Sequence, residues 1–287
     1  RALELGLDFV RVEPRVTRYN DDPALDIDFT LTRGPRVFVE RIDIAGNTTT
    51  LDRVIRRQFK IVEGDALNPR EIRASAERIR ALGFFSSSNV STREGSAPNR
   101  RIVEVAVTEK PTGSLKFGAN YNSAVGVGLL ASFSEANFLG RGQTTSFGVN
   151  TTSSTRSFDF AFKEPSLYNR DLSLSFGLDY QGTSKSNARY DTRAIGFDAA
   201  FGFPISESGF FTPKFFYETE ELSQVTATSK VIKEEAKEGH RKTLGVGYNY
   251  SFDNRRTGLD PKAGMFLRLS QDFDLTGDVR FVRTGVT

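Results

Sequence analysis

The sequence predicts an α+β module followed by about ten strands of an antiparallel transmembrane β-barrel. The first observation is a change of composition near residue 111: charged residues are dense before it, and Gly, Ser, Thr, Asn and Phe dominate after it. The second is the spacing of hydrophobic residues, which follows both helical and strand periods in the first part and recurs at almost every second residue in the second part. The third is strand length, because segments of roughly 8–12 residues suit a tilted strand that crosses a bilayer.

Composition excludes several classes of function. The 39 basic and 36 acidic residues leave a net charge of +3, so no nucleic-acid-binding surface is expected. Cysteine is absent, which removes disulfides, thiolate metal sites and thiol nucleophiles. The single histidine, His240, excludes mechanisms that need two imidazoles, and its charged sequence neighbours indicate a solvated loop residue. We therefore expect no enzyme activity, no cofactor and no metal site.

The chain from residue 36 to residue 109 is typical of one compact module of order β-α-α-β-β. A strand over residues 37–44 ends at the turn pair Gly46-Asn47. A helix follows, with Thr49 or Thr50 as its expected N-cap. The side chains that recur at helical spacing on it are Leu51, Val54, Ile55, Gln58 and Phe59.

The second helix of the module has stronger end signals. Asn68 is placed to cap it, Pro69 suits the first helical position, and Glu71 completes a capping-box pattern. Gly83 stands where a glycine commonly ends a helix. The stripe expected to be buried consists of Ile72, Ala76, Ile79 and Leu82. Two strands complete the module, over residues 84–92 and 101–108, and the second is expected to bury Val103, Val105 and Val107.

Residues 1–34 are interpreted as the end of a preceding copy of the module. Two strands, 9–18 and 24–31, follow a helix that ends at Leu5-Gly6, just as the second helix of the module ends at Leu82-Gly83. An internal repeat of roughly 75 residues explains this order. The predicted domains are therefore 1–34, 35–110 and 111–287.

From residue 112 onward, apolar side chains alternate with small polar ones on strand after strand. A soluble sheet also alternates, but its polar face is usually richer in Lys and Glu. Backbone groups in lipid must all be paired, so a closed sheet is the expected form. The connections alternate in kind as well: those at 136–143, 164–171, 204–208 and 253–264 fall at one end, and a long charged one, 224–241, falls at the other. The pattern favours a membrane barrel over a soluble one.

Three details complete the prediction for this part. The charge pattern over residues 233–238 indicates a solvated surface helix in the long connection. The segment 278–287 has the pattern of a strand that has barely begun, so further barrel strands are expected after it. Aromatic residues near strand ends are typical of an interfacial girdle. The candidates are Phe201, Phe203, Phe210, Phe211, Phe215 and Tyr217.

The module is similar to a POTRA domain, and the barrel part resembles the BamA family of outer-membrane protein assembly factors. The turn at residues 46–50 follows the Gly-Asn-x-x-Thr pattern of POTRA domains, and Leu82-Gly83-Phe84-Phe85 matches a helix boundary. The barrel resemblance is carried by the first strands with the turn at 137–142, by Glu164-Pro165-Ser166-Leu167-Tyr168, and by the turn at 258–264. It implies that these are about ten strands of an expected sixteen.

The resemblance implies a protein that assembles β-barrels in the bacterial outer membrane, with its POTRA domains in the periplasm. These domains would receive unfolded outer-membrane proteins from periplasmic chaperones, and the barrel would insert them into membrane lipid through a lateral gate. No nucleic acid, ATP or cofactor is implied. The gate strand implied by the family comprises Ser114, Leu115, Lys116, Phe117, Gly118, Ala119 and Asn120.

The resemblance also implies a docking site for accessory outer-membrane lipoproteins, formed by the residues that end the first helix of the last POTRA domain. Arg56, Lys60 and Glu63 occupy those positions. Lys60 stands where the family usually has arginine, and lysine cannot make the bidentate contact of arginine. Without the resemblance, such a charged cluster is most often a solvated surface.

Two other functions remain open from the sequence. A relative in the same superfamily that exports polypeptides, or that serves the translocation-assembly pathway, would carry fewer upstream POTRA domains. A passive porin or adhesin barrel with a periplasmic appendage would conduct ions steadily and leave the folding of other proteins unchanged.

Overall fold

The structure is a computed structural model of the chain and describes residues 10–18, 25–33, 36–122, 126–185, 190–226, 229–237, 239–255, 263–277 and 280–287. The chain divides after Pro111 into two compact units. Among the described residues, no helix is both long and apolar enough to span a membrane.

The first unit begins with an antiparallel hairpin of β1 (Val10–Arg18) and β2 (Leu25–Arg33). The expected hairpin is confirmed, although β2 runs two residues further than predicted. The helix end expected at Leu5-Gly6 lies outside the described residues. Four apolar side chains on one face of the hairpin are more than half exposed: Val12, Val16, Ile27 and Phe29.

The order β-α-α-β-β of the module is confirmed. Its three strands form one sheet in the order β3-β5-β4, in which β3 is parallel to β5 and β4 is antiparallel to it. The elements are β3 (Phe38–Ala45), α1 (Asp52–Arg56), α2 (Pro69–Ala81), β4 (Phe85–Glu94) and β5 (Arg100–Glu109).

The core of the module lies between α2 and the sheet. Ile79 of α2 and Val103 of β5 are fully buried, and removing each such side chain from water stabilises the fold by about 1.5–3 kcal/mol. Ile72, Ala76, Val105 and Val107 are buried as predicted. Leu82 is only half-buried because it is the C-cap residue of α2 rather than part of its stripe.

The predicted ends of α2 are largely confirmed. The Asn68 side chain accepts hydrogen bonds from the backbone amides of Arg70 and Glu71, and Pro69 is the first helical residue. Gly83 has φ +74, a conformation that favours glycine after a helix. The second half of the capping box is absent from the described contacts of Glu71, whose carboxylate lies 3.6 Å from Nη2 of Arg78 instead.

The prediction for α1 was wrong in two respects. The helix is only five residues long, so Gln58 and Phe59 lie beyond its end. Its N-cap is Leu51, which provides no side-chain cap, rather than Thr49 or Thr50. Both threonines direct their backbone amides to a carboxylate elsewhere in the module, as described below.

The second unit is a single antiparallel sheet of ten described strands in sequential order, so the expected count of about ten is confirmed. The sheet is open, and its two edges are the first strand and the last. The strands are β6 (Gly113–Asn122), β7 (Gly126–Phe138), β8 (Gln143–Thr151), β9 (Thr155–Glu164), β10 (Ser173–Lys185), β11 (Tyr190–Pro204), β12 (Gly209–Ser223), β13 (His240–Asp253), β14 (Phe266–Gly277) and β15 (Val282–Val286). Below, the near end of the sheet is the end where β6 begins, and the far end is the opposite one.

The strand register produces one apolar and one polar face. On the apolar face, Phe160, Leu178, Phe197 and Tyr217 lie in one row across β9 to β12. On the polar face, aspartates of one strand lie over glycines of the next, where a Cβ atom would overlap the carboxylate. These Gly/Asp pairs are Gly148/Asp159, Gly196/Asp179, Gly177/Asp198 and Gly247/Asp272.

Several details of this unit differ from the predictions. Phe210 is opposite Ser251 and lies on the polar face, and Phe215 and Tyr217 lie in the middle of β12, so half of the expected girdle is wrong. His240 begins β13 instead of lying in a loop. The surface helix, α3 (Lys230–Lys237), begins three residues earlier than expected.

Candidate functional site

The first candidate site is the charged cluster at the end of α1. The guanidinium of Arg56 donates to Oδ2 of Asp52 at 3.0 Å, to Oε1 of Glu63 at 3.2 Å and to the carbonyl of Ile42 at 3.1 Å. Glu63 Oε1 also accepts from the backbone amide of Ile42 at 3.2 Å. Arg56 and Glu63 thus form one unit that fastens the end of α1 to β3.

Lys60 is exposed, and no described contact joins its side chain to Arg56 or Glu63. A depression of 550 Å³ adjoins the pair, and an exposed side chain, Val62, is on its wall. The remaining lining residues are Ile42, Phe59 and Ile61. The structure therefore brings two of the three predicted docking residues together beside an apolar depression, and the docking role stays a prediction.

The second candidate site is β6, the predicted gate strand. It pairs only with β7 among the described strands, so the hydrogen-bonding groups of its other edge have no strand partner there. Leu115, Phe117 and Ala119 lie on the apolar face, and Ser114, Lys116, Gly118 and Asn120 lie on the polar face. All seven residues are exposed. The structure places the strand at an edge, and its opening stays a prediction.

Side chains hold the near end of β6 to β7. The Thr112 hydroxyl donates to Oε1 of Glu135, and the same oxygen accepts from the backbone amide of Asn137 at 2.9 Å. Asn137 in turn accepts from the backbone amide of Gly142 at 2.7 Å. A Cβ atom on Gly113 would lie 2.7 Å from Glu135 Oε2, so the carboxylate occupies the space that a side chain would need. The near end is therefore more firmly connected than a ladder of backbone bonds alone would make it.

A third set of contacts, around Glu109, was not predicted from the sequence. The carboxylate of Glu109 accepts hydrogen bonds from the Thr48 hydroxyl at 2.7 Å and from the backbone amides of Thr49 and Thr50. Burial alone would raise the pKa of this carboxyl, but the hydrogen bonds from Thr50, Thr48 and Thr49 outweigh burial and lower the pKa to about 2. The signal in the sequence was a turn rich in threonine with a glutamate at the end of the last strand of the module.

The two edges of the three-stranded sheet differ in access. The start of the outer side of β3 is covered by the segment before α2: the amide of Val39 donates to Asp65, and the amides of Gly64 and Leu67 donate back to Val39 and Val37. The outer side of β4 has no strand partner in the described part of the chain. Of the two edges of this sheet, the edge of β4 is the more open one among the described residues.

Two family models match the chain. A model of the Omp85 superfamily domain matches residues 137–287, more than half of the chain. A POTRA model, described as a surface antigen variable number repeat, matches residues 37–110, which is the module described above.

The chain is similar to several curated proteins. The outer membrane protein assembly factor BamA of Nitratidesulfovibrio vulgaris is 23% identical over 284 residues, which cover 98% of this chain and 35% of that protein. BamA of Neisseria meningitidis is 25% identical over 189 residues, 63% of this chain and 24% of that protein. The sorting and assembly machinery component 50 homolog of Xenopus tropicalis is 27% identical over 265 residues, 86% of this chain and 54% of that protein. The chain thus spans between about a quarter and about half of these relatives.

Solved structures with the same fold include BamA from Haemophilus ducreyi lacking POTRA domains 1–3, with a TM-score of 0.72 and 21% identity. That match covers 98% of this chain and 57% of the other. CdiB from Acinetobacter baumannii matches with a TM-score of 0.59 and 13% identity over 99% of this chain and 53% of the other. At these identities the likeness shows the fold: a POTRA module followed by antiparallel barrel strands.

Proposed function

The chain belongs to the Omp85 superfamily, and on that premise we propose that it works in the assembly of β-barrel proteins into the bacterial outer membrane. The observation that carries the proposal is the succession, in one chain, of a POTRA module and an antiparallel sheet of ten described strands. The similar proteins named as assembly factors support it. The sheet belongs to the outer membrane and the POTRA module to the periplasm.

The proposed mechanism follows from the cost of an unpaired strand edge in lipid. Each backbone N–H or C=O group without a partner costs several kcal/mol in the hydrocarbon core, so an open barrel seam favours any strand that can pair with it. The free edge of β6 would pair with a strand of an unfolded client, and the client would then leave sideways into the lipid. The contacts of Thr112 and Glu135 at the near end would keep β6 attached to β7 while the seam opens.

Clients would first be held by the POTRA module. An extended peptide can add to an unpaired sheet edge through main-chain hydrogen bonds, which do not depend on client sequence. The edge of β4 (Phe85–Glu94) is suited to this role because it has no strand partner in the described part of the chain, whereas the edge of β3 is already covered at its start. We assign to β4 the reception of unfolded clients delivered by periplasmic chaperones.

Accessory outer-membrane lipoproteins would dock at the cluster of Arg56, Lys60 and Glu63. The ion pair between Arg56 and Glu63 presents both signs of charge beside the depression that Val62 borders, an arrangement that suits a partner with a complementary ion pair and an apolar anchor. The flexible, charged side chain of Lys60 adds a long-range attraction for an acidic partner.

The experiment that tests the proposal measures how fast an unfolded outer-membrane protein folds in liposomes with and without the full-length protein. Acceleration that is lost when the POTRA region is removed supports an assembly machine. No acceleration, even with the accessory lipoproteins supplied, contradicts it. Steady ion conductance in planar bilayers without any effect on client folding would favour the passive pore instead.

A further inference from the structure

A notch lies at the far end of the apolar face, centred on Gly182 of β10. The register places Arg156 of β9 and Arg193 of β11 directly opposite Gly182 on either side. The two arginines are therefore two strand spacings apart, roughly 9.5 Å at the backbone. A Cβ atom on Gly182 would lie 2.9 Å from the Tyr180 hydroxyl, so the Tyr180 side chain lies over the glycine and its hydroxyl occupies the space that a side chain would need.

The notch has a polar wall. It belongs to a depression of 390 Å³ that is bordered by the turn between β8 and β9 and by the ends of β10 and β11. The hydroxyl residues Thr152, Ser154 and Ser184 contribute to this wall. A backbone hydrogen bond of 2.7 Å from Ser184 to Ser154 holds the turn against β10. Hydroxyl groups beside guanidinium groups are the donors that phosphate oxygens prefer.

The notch lies at the far end of the row of apolar side chains. Directly below Arg156, Gly182 and Arg193 on the same face lie Phe158, Tyr180 and Ile195. On β11 the apolar side chains then continue to Phe203, eight residues away, which is roughly 26 Å along the strand. This length is close to that of the lipid-facing band of an outer-membrane barrel, about 25 Å. The two arginines therefore stand at the level where lipid headgroups begin.

The charges near the notch favour one side of it. Arg193 lies 3.5 Å from the carboxylate of Glu221, which is also 3.9 Å from His240, and Asp191 borders the depression. Arg156 is exposed, and no ion pair to its side chain is present in the described part of the chain. An anion in the notch would therefore bind between Arg156 and the Tyr180 hydroxyl, with Arg193 as a partly neutralised second cation.

We propose that this notch is a binding site for the phosphate group of a phosphorylated lipid in the outer leaflet. The inference rests on the outer-membrane placement of the sheet and adds a ligand that the assembly function does not require. Arg156 and the Tyr180 hydroxyl donate hydrogen bonds to the phosphate, and Gly182, which has no side chain, lets the Tyr180 hydroxyl lie where it can donate. The acyl chains then lie along Phe158, Tyr180 and Ile195, which a soluble phosphate would not use.

The test measures retention of radiolabelled diphosphoryl lipid A by immobilised full-length protein in detergent. We expect Arg156→Gln to weaken binding by about tenfold, since a charge-assisted hydrogen bond to phosphate is lost. Gly182→Leu, which removes no charge but displaces the Tyr180 hydroxyl, should weaken binding to a similar degree. The matched control is Arg170→Gln, an exposed arginine at the near end, which should bind like the wild type.

Two competitors identify the source of the phosphate. Lipid A without its phosphates should bind at least about tenfold more weakly than the diphosphoryl form. Inorganic phosphate at the same concentration should fail to displace the bound lipid. Equal binding by Arg156→Gln and wild type, or equal binding by the dephosphorylated lipid, would overturn the proposal, and full displacement by inorganic phosphate would reassign the notch to a soluble anion. Failure of wild-type protein to accelerate client folding would contradict the proposed function but not this site.

Discussion

The carboxylate of Glu109 accepts a hydrogen bond of 2.6 Å from the backbone amide of Thr50, across 59 residues of sequence. Glu109 is the last residue of β5, and Thr50 lies two residues before α1. The carboxylate thus takes the place of a helix-capping side chain, because it accepts backbone amides that would otherwise lack a partner at the start of α1. The fold of the module depends on a contact between its two ends.

Glu109→Gln should destabilise the POTRA module by about 1–2 kcal/mol, because a neutral amide accepts the hydrogen bonds from Thr48, Thr49 and Thr50 less strongly. Urea unfolding of a fragment spanning residues 36–111, followed by far-ultraviolet circular dichroism, measures the loss. The matched control is Glu94→Gln, since the Glu94 side chain is 88% exposed and its ion pair with Arg101 is long. Equal stability of Glu109→Gln and wild type would contradict the assigned role.

The same carboxylate predicts a pH dependence. Its pKa is lowered from 4.5 to about 2 in the folded module, so its contribution to stability is fully present above pH 4.5. The contribution is lost as the pH falls toward 2, where the carboxylate becomes protonated in the folded state as well as in the unfolded state. The difference in unfolding free energy between wild type and Glu109→Gln should therefore shrink between pH 4.5 and pH 2. A difference that stays constant over this range would disprove the assignment.

Gly46→Ala should destabilise the module by about 2–3 kcal/mol. Gly46 has φ +92, and a Cβ atom there would overlap the carbonyl oxygen of Val107, so backbone strain and a steric clash act together. Gly64→Ala is the matched control, because Gly64 has φ +95 but nothing lies within 4 Å of the place that a Cβ atom would take. Its cost should be limited to strain, about 1 kcal/mol. Urea unfolding compares the two, and equal losses would show that the contact with Val107 is unimportant.

Glu63→Lys should weaken binding of an accessory lipoprotein by at least about tenfold, because it reverses the charge that is paired with Arg56. Pull-down of the lipoprotein by the full-length protein measures the effect, and barrel insertion should be intact. Glu63 also accepts from the amide of Ile42, so the circular dichroism spectrum of the variant is needed to show that the module is folded. Glu77→Lys reverses the charge of an exposed glutamate on α2 and serves as the control. Unchanged pull-down by a folded Glu63→Lys protein would exclude the docking role.

A disulfide that joins β6 to the strand that closes the barrel should block client assembly in the full-length protein. Residues 1–287 contain no cysteine, so a cysteine placed in β6 has no native thiol to pair with in this part of the full-length protein. A disulfide between Lys116→Cys and Ser132→Cys is the matched control, because these residues are directly opposite on β6 and β7, which remain paired in the proposed mechanism. Client assembly should continue with the control disulfide fully formed. Normal assembly with the seam disulfide fully formed would refute the lateral gate.

Local signals predicted α2 well and α1 poorly. Asn68, Pro69 and Gly83 act within one turn of the helix ends, so the sequence near them contains the information that positions α2. The start of α1 is set instead by Glu109, which is distant in sequence and therefore invisible to a helix pattern. A threonine side chain is the usual local N-cap. In this module the carboxylate of Glu109 accepts hydrogen bonds from the backbone amides of Thr49 and Thr50 instead.

The same distinction holds for the sheet and the candidate sites. The alternation of apolar residues is enough to predict which side chains share a face of the sheet. A single residue that is skipped in the strand pairing, however, moves the residues beyond it to the opposite face. The pairing of β13 with β14 skips Leu275, so Thr276 joins the apolar face opposite Leu244. The periodic pattern could not predict the Arg56–Glu63 contact either. Glu63 lies in a turn seven residues after Arg56, and the folded chain brings its carboxylate back to Arg56 at the end of α1.

The Gly/Asp pairs of the polar face restrict which substitutions this sequence can accept during evolution. At each pair the aspartate occupies the volume of the absent side chain, so a larger residue at Gly196 requires Asp179 to move toward Asp159, directly opposite it on β9. Two carboxylates that face each other across strands already repel, which makes that movement costly. Substitutions at positions 179 and 196 should therefore be accepted in evolution as a pair, and related sequences should show the two positions covarying.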